Sequence, residues 1–407
     1  MSDDDPVARL RALPKFGQGL GLHRTIELLE RCSIDGWMAR VDAIKITGSK
    51  GKGSVAAITE RVLGALGLRV GLFTSPHLVR FPERIRVAER EIDLRELATA
   101  SDRVLEIIDG YQAAHPGDRV GAFEAFVAIA ALHFAGHDVD TAVFEAGIGG
   151  RYDPTRVIPG AVAGLTSVEL EHTEVLGSTH ELIALDKSDL CPHGGTLVLG
   201  EIDREVERRL TRYCALRGVE LIRAADEIVL TAPRYAAGEM SFEMTFRGHA
   251  WGSISTRLLG EHQARNLGVA SSLVWHWLRR NRPEVTIEQL GVAVAAAASA
   301  IVWPGRMQVV ATEPTIIIDV GHTPDSAHTA AVTIRQLYPE APLLLITGVS
   351  YNKDVGGVLR ELVTVADEIL CTRAYHKGSD PATIAEHCEA IRPGSVWRCA
   401  DTIEAAV

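Results

Sequence analysis

Short apolar runs alternate with longer stretches in which apolar positions recur every three or four residues. The runs Ala43–Ile46, Val70–Thr74, Thr141–Glu145, Ala161–Ser167 and Thr196–Leu199 predict buried strands. Between them the helical period predicts helices over Ser54 to about Leu66, Leu94–Ile108, Phe123–Phe134 and Asp203–Leu216, with another from about Thr179 that carries Lys187. Gly67 is placed to end the first of these. Before them, Val7–Met38 reads as helical with a break at Gly17–Gly21, and His23–Cys32 forms one amphipathic helix with Leu28 and Leu29 inward. Strands of unbroken apolar character separated by helices imply a mostly parallel sheet covered on both faces.

Between Glu227 and Leu258 the texture changes. Alternating runs such as Ser241–Phe246 predict antiparallel strands, as an edge or a subdomain. Helices follow over Asn266–Trp277 and Thr286–Ala300. Pro304-Gly305 breaks the pattern, and the domain boundary is placed near Ile301, giving a first domain over 1–300 and a second over 301–407. There the alternation restarts: strand Thr315–Asp319, helix Ser326–Leu337, strand Leu343–Thr347, helix Val355–Ala366, strand Glu368–Cys371. A length of 407 residues fits two domains better than one. A net charge of −11 without a long basic run excludes nucleic-acid binding by general electrostatics. An anionic substrate must then meet a local positive site. No apolar stretch is long enough to span a bilayer, and no signal core follows the acidic Met1–Asp5, so a cytoplasmic protein without a membrane partner is expected. Six scattered cysteines without CxxC pairs fit free thiols in a reducing compartment.

The chemistry concentrates at Thr47-Gly48-Ser49-Lys50-Gly51-Lys52-Gly53-Ser54, between a strand and a helix. Glycines there let several backbone N–H groups converge on one anion, the helix dipole adds positive potential, and Lys52 supplies a full charge. This is a P-loop with altered spacing, since Ile46 holds the place of its first glycine and Ser54 lies one residue late. Ser75-Pro76-His77 ends another strand at the carboxyl side, where ligands gather in α/β sheets; on local sequence alone it reads more readily as a turn serine and a solvated histidine. Glu145 closes a buried strand before Ala146–Arg151 with its three glycines, and reads either as a metal ligand or as a strand-end carboxylate facing water. Glu169–Glu174 crowds carboxylates around His172, which on local sequence reads more readily as a surface histidine.

Taken together these motifs resemble the Mur ligase superfamily, and most closely its folylpolyglutamate synthase/dihydrofolate synthase branch. The resemblance is carried by Gly48–Ser54, Thr74–Leu78, Phe81–Ile85, Phe123-Glu124, Glu145–Asp153, His172–Gly177, Lys187, Gly260–Gln263 with Asn266, Trp303–Arg306 and Asp319–Pro324. It implies an α/β fold: a P-loop domain with a mostly parallel sheet and a small antiparallel subdomain, then a smaller Rossmann-like C-terminal domain. It implies a reaction in which ATP phosphorylates a substrate carboxylate and the acyl phosphate is attacked by an amino acid, with glutamate the expected amine and a folate or pteroate the expected acid. By resemblance, Mg²⁺ is held by Ser75 and Glu145, and a second ion by His172 and a carbamylated Lys187, with Ser54 contributing through the phosphate loop. The loop residues Gly48, Ser49, Lys50, Gly51, Lys52, Gly53 and Ser54, together with Asn266, Arg306 and Asp319, contact ATP, and His322 lies near the phosphates and the incoming amino acid. The protein is expected to act as a monomer.

Four departures from the family pattern stand out. Lys50 replaces an asparagine; Asp153-Pro154-Thr155-Arg156 replaces Asp-Ala-Thr-Asn; Thr323 replaces an asparagine in Asp319–Pro324; and the chain stops at Val407, where relatives have a further strand. Lys50 and Arg156 add charge around the site, which points either to a more acidic substrate or to drift compensated elsewhere. Two other readings therefore stand beside the first. One is a divergent ligase joining a different acid and amino acid in cofactor or natural-product biosynthesis. The other is a nucleotide-binding paralogue without catalysis, against which Glu145, His172 and Lys187 argue.

Overall fold

In the computed structural model, residues 6–236, 238–375 and 377–406 are described. The chain divides into two compact units: 1–231, 243–254 and 263–301 form the first, and 232–242, 255–262 and 302–407 the second.

The first unit is built on an eight-stranded sheet. Its strands are β1 (Ile44–Thr47), β2 (Val70–Phe73), β3 (Ile85–Val87), β4 (Arg90–Glu91), β5 (Thr141–Glu145), β6 (Val162–Leu165), β7 (Thr196–Leu199) and β8 (Glu220–Arg223). They lie in the order β4-β3-β2-β5-β1-β6-β7-β8. The six strands from β2 to β8 in that order are parallel, and β3 and β4 add an antiparallel edge. Every residue of β1, β2, β5, β6 and β7 is buried, as a sheet with helices on both faces requires. The mostly parallel α/β sheet expected from the sequence is thus present.

Two helices are buried over most of their surface because they are packed between layers. Lys52–Ala65 buries nine residues and Ala122–Gly136 buries ten. The largest core lies between the sheet, the helix Leu94–Ala114, the helix Ala122–Gly136 and the N-terminal segment, and includes Leu28, Trp37, Phe73, Phe134 and Phe144. Phe134 covers β2 closely enough that a Cβ on Gly71 would meet its ring at 2.8 Å.

The antiparallel strands appear as β9 (Ile228–Leu230), β10 (Arg234–Ala236), β11 (Glu239–Phe246) and β12 (His249–Thr256). In β11, Met240, Phe242, Met244 and Phe246 are buried in strict alternation.

The second unit holds the hairpin β13 (Gln308–Thr312) and β14 (Thr315–Ile318), and a parallel sheet of β15 (Leu344–Thr347), β16 (Glu368–Thr372) and β17 (Val396–Ala400). Its helices Pro324–Leu337, Val355–Val363 and Pro381–Ile391 cover a small core around Leu359, Val363, Ile369 and Ile384. Strands β13 and β17 and the helix Pro381–Ile391 are additions to the sequence reading. Both strands leave most residues part-exposed or exposed, so neither presents an apolar run.

Other differences have local causes. The β3–β4 hairpin turns on Ala88 and Glu89, both at positive φ, without the Asn-Gly or Asp-Gly signal. The helix after the P-loop starts at Lys52, not Ser54, because Gly51 takes the left-handed conformation that ends the loop. The helix Glu261–Asn281 begins five residues before Asn266, since its first turn is polar.

Candidate functional site

Strand register assembles the site. Pairing Thr47 with Leu165 sets Thr166 and Ser167 beside the P-loop. The Ser49 N–H donates to Ser167 O at 3.0 Å, and the Lys50 N–H donates to Ser167 Oγ at 2.8 Å. Gly48 has φ +144°, and a Cβ there would sit 1.9 Å from Thr166 Oγ1, so only glycine fits. Gly51 has φ +80°, and a Cβ there would meet Asn266 Oδ1 at 2.9 Å. The loop is held from outside as well. Asn266 Nδ2 donates to Gln263 Oε1 at 3.0 Å, and Gln263 Nε2 donates to the buried Ser54 Oγ at 3.4 Å. Asn266 and Ser54 are expected from the sequence, whereas Gln263 gains its role only from the structure, its one sequence signal being the polar first turn of the helix Glu261–Asn281.

Two lysines converge on one loop oxygen. Lys52 Nζ donates to Gly48 O at 2.8 Å and to Ser49 O at 3.4 Å. Lys187, 1 % exposed, donates from Nζ to Gly48 O at 3.1 Å and to Glu171 Oε1 at 3.1 Å. Burial lowers the Lys187 pKa and the charge of Lys52 adds to the effect, with Glu171 opposing. For Glu171 burial works upward, but Lys187 and Lys52 outweigh it and hold the carboxyl below its ordinary range. The helix His180–Ser188 that delivers Lys187 also places Asp186, whose Oδ1 accepts the Gly150 N–H at 2.9 Å.

Lys50 and Glu169 form an ion pair at 2.5 Å, and Glu169 N–H donates to Ser49 Oγ at 2.9 Å. The charge that Lys50 brings to the loop therefore comes with its own counter-ion. Glu169 and Glu171, two residues apart, each take a lysine, while Leu170 between them is exposed. The acidic crowding around His172 thus resolves into two lysine partners. His172 itself has φ +50° at the start of the one-turn helix Thr173–Leu176, with Nδ1 3.9 Å from Glu174. Burial lowers its pKa, and Glu171 and Glu174 oppose the shift.

Glu145 is 4 % exposed, which removes the reading of a carboxylate facing water. Because β2 and β5 pair Phe73 with Phe144, the chain after β2 meets Glu145, and the Ser75 N–H donates to Glu145 Oε2 at 3.0 Å. The Ser75–Pro76 peptide is cis. Next to it His77 Nδ1 accepts from Arg84 Nε at 2.8 Å, and Arg84 lies over the Phe126 ring at 4.8 Å. Burial lowers Arg84 to about 10 against the pull of Glu145, and burial with Arg84 lowers His77. Asp153 orders the glycine loop after β5. Its carboxylate accepts from Gly147 N at 2.8 Å, Ile148 N at 3.1 Å, Thr155 N at 2.9 Å and Thr155 Oγ1 at 2.5 Å. Arg156, capped into place by that aspartate, donates to Arg151 O at 2.7 Å. It lines a 410 Å³ cleft with Arg151, Tyr152, Asp189 and Arg217 among others.

In the second unit Asp319 accepts from Met307 N at 2.9 Å and from Gly321 N at 2.7 Å, tying the turn after Trp303 to the turn after β14. Arg306 donates to Gly305 O at 3.1 Å, and His322 Nδ1 lies 3.1 Å from Val320 O. These three predicted residues are grouped there, while Gly48–Ser54, Ser75, Glu145, His172, Lys187 and Asn266 belong to the first unit.

Ser54, Ser75 and Glu145 offer oxygen donors, the chemistry Mg²⁺ takes, so the residues fit that ion. Lys187 as an ammonium cannot ligate and fits only as its carbamate. A P-loop cradle beside buried acidic and basic groups can hold a triphosphate and neutralise charge that develops on it.

Known proteins match this arrangement along the chain. Residues 305–407 match the Mur ligase, glutamate ligase domain. The dihydrofolate synthase/folylpolyglutamate synthase of Mycobacterium tuberculosis is 31 % identical over 358 residues, covering 84 % of this chain and 72 % of that protein. A probable bifunctional folylpolyglutamate synthase/dihydropteroate synthase of Halobacterium salinarum is 33 % identical over 399 residues, or 97 % of this chain, but this chain spans only 47 % of that protein's length. The structure of Mycobacterium tuberculosis folylpolyglutamate synthase complexed with ADP superimposes with a TM-score of 0.88 at 27 % identity, covering 98 % of this chain and 88 % of that one. The protein belongs to the folylpolyglutamate synthase/dihydrofolate synthase family of Mur ligases.

Proposed function

We propose that the protein is an ATP-dependent carboxylate–amine ligase that adds glutamate to a folate or pteroate through an acyl phosphate, releasing ADP and phosphate. The observation that carries this reading is Lys187, a fully buried lysine whose Nζ reaches the P-loop carbonyl of Gly48 at 3.1 Å. A plain nucleotide-binding loop has no need of a second lysine buried behind it. The names of the relatives supply the acid and the amine.

In this reading the backbone N–H groups of Gly48–Ser54 cradle the phosphates, and Lys52 exchanges its two carbonyl partners for phosphate oxygens. Ser75 and Glu145 would hold one Mg²⁺, His172 and a carbamylated Lys187 would hold a second, and Ser54 would assist through the loop. Bound Mg²⁺ supplies neutralisation of the phosphate and carboxylate charges that otherwise repel. Burial favours the neutral Lys187 amine, which adds to CO₂, forms an N–C bond and releases one proton. Glu171, its ion-pair partner in the unmodified state, then loses that pairing. Asn266 supports the loop from its outer side. Arg306, Asp319 and His322 act from the second domain, 301–407, on the nucleotide and the incoming amino acid, and residues 1–300 act as the ATP-binding domain. The protein works as a monomer on small molecules, which light scattering under assay conditions checks.

ADP release measured against dihydropteroate, tetrahydrofolate and a panel of other carboxylic acids, each with glutamate, tests the proposal. Turnover with a pterin is expected. ADP release only with other acids would overturn the folate assignment and keep the ligase; no ADP release with any acid would overturn both.

A further inference from the structure

The helix Ala122–Gly136 starts near the site, where a Cβ on Gly147 would meet the Phe123 ring at 2.8 Å. It ends about 20 Å away, next to the residues that lead into the start of β5. At that far end three potential ligands converge. His133 and His137 share one face, one helical turn apart, and Glu96 reaches them from the helix Leu94–Ala114.

The geometry is that of a metal site. The ligand atoms of Glu96, His133 and His137 all lie within 4.8 Å of one another. His137 Nε2 is 3.1 Å from Glu96 Oε1, and the two imidazole rings are 4.1 Å apart between centroids. Tetrahedral zinc with bonds of about 2.0–2.1 Å separates its ligand atoms by roughly 3.3 Å. Small side-chain adjustments would therefore bring the three atoms onto one ion.

The hydrogen bonding points the same way. His137 Nδ1 lies 2.9 Å from the carbonyl oxygen of His133. A backbone carbonyl only accepts, so Nδ1 carries the proton and donates it. That leaves Nε2 facing the Glu96 carboxylate at 3.1 Å, a contact that either an imidazolium proton or a metal cation can bridge. An imidazole whose Nδ1–H is held by a carbonyl and whose Nε2 faces outward is the arrangement seen for zinc-ligating histidines. Arg69 donates from Nε to the His137 carbonyl at 2.7 Å and not to its ring. The burial is graded: His133 is 7 % exposed, His137 is half-buried and Glu96 is exposed. One side of the site is thus open to an ion and to a water in a fourth position.

We propose that Glu96, His133 and His137 form a binding site for a divalent transition-metal cation, zinc above all, that clamps the helix Leu94–Ala114 to the end of the helix Ala122–Gly136. Nitrogen and carboxylate ligands in this ratio suit zinc and not Mg²⁺, which takes oxygen. The site is separate from the P-loop and independent of the ligase reading.

Isothermal titration of the full chain with zinc chloride, with Mg²⁺ in excess to fill oxygen sites, tests it alongside thermal unfolding with and without zinc. His133 is buried, so the decisive variants are His137→Gln and Glu96→Gln, at more exposed positions. The expected result is one zinc equivalent that raises the melting temperature of the wild type. Each variant should weaken that binding by at least about 10-fold and abolish the thermal shift, whereas Glu145→Gln should leave both unchanged. Cobalt substitution should give the visible bands of a four-coordinate ion, lost in His137→Gln. Zinc binding within twofold of wild type in both His137→Gln and Glu96→Gln would overturn the proposal. So would zinc binding lost in Glu145→Gln alone, which would place the ion at the P-loop, and so would a proton-only ion pair, seen as no zinc-dependent thermal shift in the wild type.

Discussion

Lys52 and Lys187 both donate to Gly48 O, yet their surroundings differ. Lys52 is partly open and can turn to a ligand; Lys187 is fully buried and cannot leave. Substitutions should therefore separate binding from chemistry. Lys52→Ala removes charge-assisted contacts worth about 1.5–3 kcal/mol, so ATP affinity should fall roughly 10- to 100-fold while far-UV circular dichroism stays unchanged. Lys187→Ala should leave ATP affinity nearly intact and lower kcat by about 10²–10³-fold, and added bicarbonate should not restore it because the amine itself is gone. Near-normal kcat in Lys187→Ala would refute the carbamate. Gly48→Ala tests the loop geometry: the new Cβ would overlap Thr166 Oγ1, and a loss of about 1–3 kcal/mol is expected in urea unfolding. Much of this site was legible in the sequence, because glycines, lysines and strand-end carboxylates are dictated by local chemistry. Gln263, Glu169 and Glu171 were not legible in their roles. Each is defined by a partner that tertiary structure brings near: Ser54 through the helix Glu261–Asn281, Lys50 through the sheet register, and Lys187 through the helix His180–Ser188.

Strand β1 shows how an element hides a residue. It reads as an apolar run, and the apolar run is right, but both its faces are covered, so Lys45 is buried with the rest. Lys45 Nζ donates to Ile158 O at 3.2 Å, and burial lowers its pKa to about 8. The unfolded chain holds that proton up to its ordinary range near 10.5. Between those values the unfolded state binds more protons than the folded one, so stability rises with pH across that window and is lowest below it. The full difference is on the order of 3 kcal/mol. Lys45→Met should remove it. The lost partner of the Ile158 carbonyl costs about 1 kcal/mol, so the variant should be more stable than wild type at pH 7 by on the order of 2 kcal/mol. Urea unfolding at pH 7 and pH 10 checks both parts: the wild type should gain stability with pH relative to the variant, and parallel profiles would show that Lys45 is not the group responsible. Of the strands missed by pattern, β4, β8, β13 and β17 are edge strands with few buried residues, where nothing forces an apolar run, and β3 lies inside the sheet but is only three residues long.

Across the whole molecule, a net charge of −11 must, under the proposed function, admit a nucleotide that is itself an anion. The charge was legible from composition; its distribution was not. Lys50 and Lys187, which a count would credit to the P-loop, are matched by Glu169 and Glu171, so the attraction available to phosphate is short-ranged: backbone dipoles, Lys52 and any bound divalent ion. Two consequences follow for solution behaviour. Removing Mg²⁺ with a chelator should abolish turnover and weaken ATP binding, and re-addition should restore both, since the loop alone has too little charge to hold the bare tetra-anion. The second concerns salt. Proteins that steer an anion with a broad positive field lose association rate as salt rises. Here the net charge of −11 repels an anion at long range, and raising ionic strength from about 0.01 M to 0.15 M shortens the Debye length from roughly 30 to 8 Å. That removes the repulsion while leaving contacts inside the loop in place. The association rate of Mg²⁺–ATP, read by stopped-flow fluorescence, should therefore rise or stay level over that range. A steep fall would mean that a positive surface outside the P-loop guides the nucleotide in.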